Sequence, residues 1–223
     1  MMKEELGDIK KGATWQNLYE TLYHIATVRY STPDLLRSAF PKAVWRRKCA
    51  TPKKLKAMAG TITATNKTIG FLDRYTDYNT QIIKPAQGEG DKDTLHNAEI
   101  FLRLIQLADF YALFFPEFYE QPSDKHPWLI PDAALLLKTD QKAKLIFIEI
   151  ERPKPEWEKH LWGKKQKYDR ISQDIITWNE WWRNWCKLLT IDLCPMEQFG
   201  FTIWCIGGDD YGWPGWRFSG KTN

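Results

Sequence analysis

Residues 144–151 (KLIFIEIE) constrain the chain more than any other segment: four consecutive apolar residues run straight into Glu149 and Glu151. The apolar run reads as a buried strand, and a lone carboxylate is costly to bury. An acid in that position therefore needs a partner. A second acid precedes a second apolar run, in Pro131-Asp132-Ala133-Ala134-Leu135-Leu136-Leu137. If these strands are neighbours ending at one edge of a sheet, Asp132 and Glu149 come within reach of a single divalent ion. Hard carboxylate oxygens suit Mg2+ or Mn2+. Such an ion lowers the pKa of a bound water and offsets charge on a phosphodiester during cleavage. A structural reading stands beside this one. Side chains alternate along a strand, so Glu149 and Glu151 share a side, where Arg152, Lys154 or helix lysines would neutralise them as an ion-pair cluster.

The surrounding segments alternate in type. Residues 94–108 have helical spacing, with Leu95, Leu102, Ile105 and Leu107 apolar and Glu99 and Arg103 toward the polar side. Residues 110–115 are aromatic and strand-like, 156–173 form a charged helix, and 201–206 (FTIWCI) read as another buried strand. The order is α-β-β-β-α-(α)-β. Trp178, Trp181, Trp182 and Trp185 fall at i, i+3, i+4 and i+7 on a helix over 173–189. This stripe reads as core or subunit interface in preference to a base-stacking platform. Trp213 and Trp216, in a loop GWPGW, are candidates for partner contact.

The first part of the chain differs. Residues 14–30 read as a helix through Leu18, Leu22, Ile25 and Ala26. Thr32-Pro33 opens a short helix to about Phe40, with Thr32 as N-cap and Pro33 in the first turn. Thr51-Pro52 repeats the signal and predicts a third helix, and residues 79–84 a strand of a wing. Three short helices and a hairpin-like segment make a winged helix-turn-helix. Between Asp34 and Asp73 there is no acid, while Arg37, Lys42, Arg46, Arg47, Lys48, Lys53, Lys54, Lys56 and Lys67 all lie there. A one-sign stretch suits a polyanion. The expected double-stranded DNA contacts are Arg46, Arg47, Lys48, Lys53, Lys54, Lys56 and Lys67. A solvated basic face and a helical bundle packing on its neighbour are the alternatives. The polar run 85–93, with proline and glycines, reads as a linker. This divides the chain into a winged-helix domain over 1–84 and a second domain over 94–223.

Of the 223 residues, 43% are apolar and 27% charged, as expected of a globular protein. There is no apolar run of membrane-spanning length and no signal-peptide core in MMKEELGDIKK. The expectation is a cytoplasmic protein with no membrane partner. Cys49, Cys186, Cys194 and Cys205 form no CxxC pair, which argues for reduced thiols and against a structural zinc.

Pro131-Asp132 followed by Phe147-Ile148-Glu149-Ile150-Glu151 resembles the signature of the PD-(D/E)XK nuclease superfamily, and the element order resembles that superfamily's α-β-β-β-α-β core with its mixed central sheet. The resemblance implies Asp132 and Glu149 as metal-binding acids, the Ile150 carbonyl as a third ligand and Glu99 as an additional acid. Glu151 occupies the motif's usual lysine position, giving E-x-E for E-x-K. The general base is then Glu151 or a lysine that has migrated to the next helix, with Lys164, Lys165 and Lys167 as candidates. A closer resemblance is to the replication-relaxation proteins of plasmids and integrating elements, which pair a winged helix with a nuclease-like domain. It rests on His96-Asn97-Ala98, Pro131-Asp132-Ala133, Glu149-Ile150-Glu151-Arg152 and Lys164…Tyr168 in that order. The functions implied are a Mg2+- or Mn2+-dependent DNA endonuclease, or a DNA-binding replication or transfer factor that keeps the nuclease fold as a scaffold. Homodimerisation through the tryptophan helix, or a partner protein of a mobile element, fits either.

Overall fold

The structure is a computed structural model that describes residues 13–39, 55–58, 61–83, 92–121, 123–139, 143–151, 157–189, 201–207 and 216–220. The chain is mixed α+β and divides into two compact units, Met1–Leu107 and Ala108–Asn223.

The first unit starts with α1 (Ala13–Val28), whose Leu18, Leu22, Ile25 and Ala26 are buried as their spacing requires. Arg29 adopts the left-handed conformation (φ 70°), which ends the helix and turns the chain into β1 (Tyr30–Ser31). Thr32 caps α2 (Pro33–Ala39): its Oγ1 accepts from Leu35 N at 3.1 Å and its carbonyl from Leu36 N at 3.0 Å. Next come β2 (Leu55–Met58), β3 (Thr61–Ala64) and α3 (Asn66–Tyr75). The strands form an antiparallel sheet in the order β1-β3-β2, with Tyr30 opposite Thr63 and Met58 opposite Thr61.

This part departs from the sequence reading in two places. Where a third helix is expected from Thr51-Pro52, residues 51–54 lie outside the described residues, the described stretch Leu55–Met58 is a strand, and the next described helix is Asn66–Tyr75. Residues 79–83, expected as a strand of the wing, hold no strand and turn back at Gln81-Ile82. The cause is pairing: β-branched Thr61, Ile62 and Thr63 make a good strand, and bonding to them outweighs the helical propensity of Leu55, Lys56 and Ala57.

Helix α4 (Lys92–Leu104) packs against α1, β1 and α2 and belongs to the first unit, burying Ala98, Phe101 and Leu102. The linker-like composition of 85–93 marks a connection ahead of this helix, and residues 92 and 93 are already helical. The division between the units falls after Leu107.

The second unit is a five-stranded mixed sheet of β4 (Phe110–Phe114), β5 (Ala133–Lys138), β6 (Ala143–Glu151), β7 (Phe201–Gly207) and β8 (Trp216–Gly220), in that spatial order. The β4-β5, β5-β6 and β7-β8 pairs are antiparallel, and β6-β7 is parallel. A parallel pair requires a crossover, and here it includes α5 (Trp157–Gln173) and α6 (Ile175–Leu189). Residues 133–136 and 145–150 are buried without alternation, so both faces of the central strands are covered. Phe147 anchors the core, its ring centroid 5.4 Å from Tyr168, 6.0 Å from Trp178 and 5.1 Å from Phe201. Trp178 and Trp182 are buried and Trp181 stacks on Phe118, so the tryptophan stripe is core. Trp216, expected in a loop, begins β8 opposite Cys205, while Trp213 lies outside the described residues.

Candidate functional site

The site forms where β5 and β6 meet at one end of the sheet. Ala133 pairs with Ile148, and one further step of the antiparallel register sets Asp132 opposite Glu149. Directly opposed residues project to the same face, so the two acids that the sequence singled out are neighbours. Asp132 precedes β5, and its Oδ2 accepts the Ile150 amide at 2.7 Å. The side chain thereby extends the ladder one step beyond the backbone pairing.

Glu149 is 1% exposed and has donors on both oxygens. Lys164 Nζ donates to Oε2 at 2.6 Å, and the Tyr168 hydroxyl donates to Oε1 at 2.5 Å. Lys164 and Tyr168 are four residues apart on α5 and therefore share one helix face. Burial pushes the Glu149 carboxyl up to about 7, opposed by the Lys164 charge and assisted by the negative charge of Asp132. Burial likewise drives the Tyr168 hydroxyl well above its ordinary range, with the Glu149 charge adding to the effect. Tyr168 thus keeps its proton and stays a hydrogen-bond donor to Glu149 at neutral pH.

Of the three candidate lysines, Lys164 is on Glu149. Lys165 Nζ pairs with Asp169 at 2.6 Å and lies 5.5 Å from the centroid of the Trp162 ring. Lys167 Nζ donates to the Trp128 carbonyl at 2.7 Å. The 100° step per residue explains the choice, because it points adjacent positions to different sides of the helix. Glu99 belongs to the first unit on α4, and its Oε1 accepts from Arg103 at 2.7 Å, so it is an i,i+4 surface pair. Ile150, expected to contribute its carbonyl, meets Asp132 through its amide. Glu151 ends β6 opposite Gly207, and its side chain lies outside the described residues.

The expected DNA contacts are only partly covered. Arg46, Arg47, Lys48, Lys53 and Lys54 lie outside the described residues. Lys56 is on β2, opposite Thr63, and Lys67 is exposed in the first turn of α3. Sequence reasoning named Tyr168 within a motif without a role. Its spacing of four from Lys164 was the available signal. Cys205, buried opposite Glu149 on β7, was not anticipated at the site.

A divalent cation can be tested against these donors. Two carboxylates stand close enough for the charge of one to raise the other's pKa, and oxygen is the donor that Mg2+ and Mn2+ take. The pair offers the oxygen donors such an ion takes, while both Glu149 oxygens are held by Lys164 and Tyr168. Among the described residues, no cluster of three or more His, Cys, Asp or Glu side chains is arranged for a metal. Comparison with protein-family models, curated proteins and solved structures found no match to this chain. Among the described residues, no helix is long and apolar enough to cross a membrane.

Proposed function

We propose that the chain is a DNA-binding protein whose second unit hydrolyses phosphodiester bonds with Mg2+ or Mn2+, in the manner of the PD-(D/E)XK nucleases. The observation that carries this reading is the meeting of Asp132, Glu149 and Lys164 at one end of the sheet, from two neighbouring strands and the following helix. The β-β-β-α order of the second unit and its mixed sheet, with β7 parallel to β6, support it, while the helix that precedes β4 belongs to the first unit. The winged-helix part of the reading draws on the helix-strand-helix start and the β1-β3-β2 sheet, together with the acid-free basic interval. With β2 and β3 as the wing, Lys56 lies on the wing and not on a recognition helix.

Asp132 and Glu149 would hold the cation, which when bound supplies a water of lowered pKa and compensates phosphate charge. Tyr168 orients Glu149 by donating to Oε1, and the Ile150 amide orients Asp132 through Oδ2. Lys164 supplies a positive charge beside the acids that a phosphate oxygen could meet. It is the migrated counterpart of the lysine replaced by Glu151. A role in replication or transfer of a mobile element is the biological setting that the sequence resemblance implies.

A second reading has its own observation. Both Glu149 oxygens already have donors, and Lys164 already compensates the charge, as in a closed structural pair. In that case the fold would bind DNA without cutting it. Incubating supercoiled plasmid with purified protein and Mn2+ separates the two. Nicking is expected, with Asp132→Asn and Glu149→Gln each at least about a hundredfold slower. Duplex binding without nicking, or full nicking by both variants, sinks the hydrolytic reading.

A further inference from the structure

The Lys164–Glu149 pair is asymmetric. The carboxylate is enclosed, at 1% side-chain exposure, while the lysine that meets Oε2 is 22% exposed and reaches the protein surface. The other oxygen is held by Tyr168, which is itself buried. One partner of Glu149 is therefore anchored within the core, and the other sits on a flexible four-carbon stem at the solvent edge. An ammonium ion at Oε2 repels any second cation approaching the same oxygen. A phosphodiester arriving at this edge offers the lysine another anion.

We infer that Lys164 exchanges partners, neutralising Glu149 while the site is free of nucleic acid and moving to a backbone phosphate when a strand binds, which opens Oε2 to the divalent cation. Tyr168 keeps Oε1 in place throughout, so the carboxylate does not swing away when the lysine leaves. The exchange makes nucleic acid and metal mutually favourable, because whatever draws the lysine from Glu149 raises metal affinity, and linkage requires the reverse as well. The inference rests on the nuclease reading and adds an order of assembly to it.

Calorimetric titration with Mn2+, without DNA, tests the exchange on wild type, Lys164→Met, Lys164→Gln and Glu149→Gln. Removal of the resident ammonium is expected to tighten Mn2+ binding about tenfold, while the same lysine variants bind a short duplex more weakly in the presence of Mn2+. A merely structural lysine predicts the opposite, since its loss would disorder Glu149 and weaken metal binding. Lys164→Gln keeps a donor for Oε2 and guards against misfolding of the methionine variant. Equal or weaker Mn2+ binding by both lysine variants overturns the exchange alone. Mn2+ binding that is absent from all proteins, or unchanged in Glu149→Gln, overturns the metal reading together with it.

Discussion

In the first unit, the buried polar side chains described are hydroxyls, and several are satisfied close at hand. Thr21 Oγ1 donates to the Asn17 carbonyl at 2.6 Å and Thr27 Oγ1 to the Tyr23 carbonyl at 2.9 Å, each within its own helix. Thr68 accepts from the Thr65 amide at 3.0 Å at the start of α3. In the second unit, the buried polar side chain is a carboxylate, and its partners Lys164 and Tyr168 come from 15 and 19 residues away. A hydroxyl bonded within its own turn asks little of the tertiary structure. A carboxylate bonded across elements depends on the tertiary structure to bring it the donors that offset its desolvation cost. Among the described residues, burial with distant partners is thus what separates the candidate site from ordinary polar structure.

The largest effect expected from this contrast is on Glu149. Glu149→Leu removes the acceptor that Lys164 and the buried Tyr168 hydroxyl share and is expected to cost about 3 kcal/mol in urea denaturation. A loss near zero would mean that the carboxylate is no more integral than a surface acid. The pH dependence comes next. Burial raises the Glu149 carboxyl from 4.5 to about 7, so the folded state holds this proton more tightly than the unfolded chain. Its contribution to stability is fully present below about 4.5 and is lost as pH rises toward about 7. Glu149→Gln should flatten that part of the stability profile, measured as urea midpoints at both ends of the window. The same ionisation creates the anionic ligand, so Mn2+-dependent nicking should climb through the pH range in which stability declines. The smallest effects belong to the hydroxyls. Thr68→Val removes an acceptor at a helix start and should cost about 1 kcal/mol, whereas Thr27→Val should cost about 0.5 kcal/mol or less.

Much of the second unit was legible because its strands are continuous apolar runs. Residues 133–137, 144–151 and 201–206 announce themselves, and the acids at their ends mark the site. The choice of Lys164 over Lys165 and Lys167 was not legible, because it depends on how α5 is rotated against β6. The donor role of Tyr168 has the same origin. In the first unit, Thr32-Pro33 and Thr51-Pro52 carry the same capping signal, yet a helix follows the first and the described residues after the second form a strand. The difference lies in partners that no local signal reports: Leu55–Met58 pairs along its length with Thr61–Ala64. Glu99 shows the limit in another form, since its helix packs on the first unit through Ala98, Phe101 and Leu102, a destination invisible in the spacing itself.

The parallel partnership of β6 with β7 has a bearing on how the molecule comes together. Neighbouring strands that run the same way cannot close through a tight reversal, so the intervening chain must travel the length of the sheet and return. In this molecule that returning tether carries both Lys164 and Tyr168. The two side chains that grip the buried acid are part of the very connection that leads from β6 to β7, so the setting of Glu149 is inseparable from topological closure.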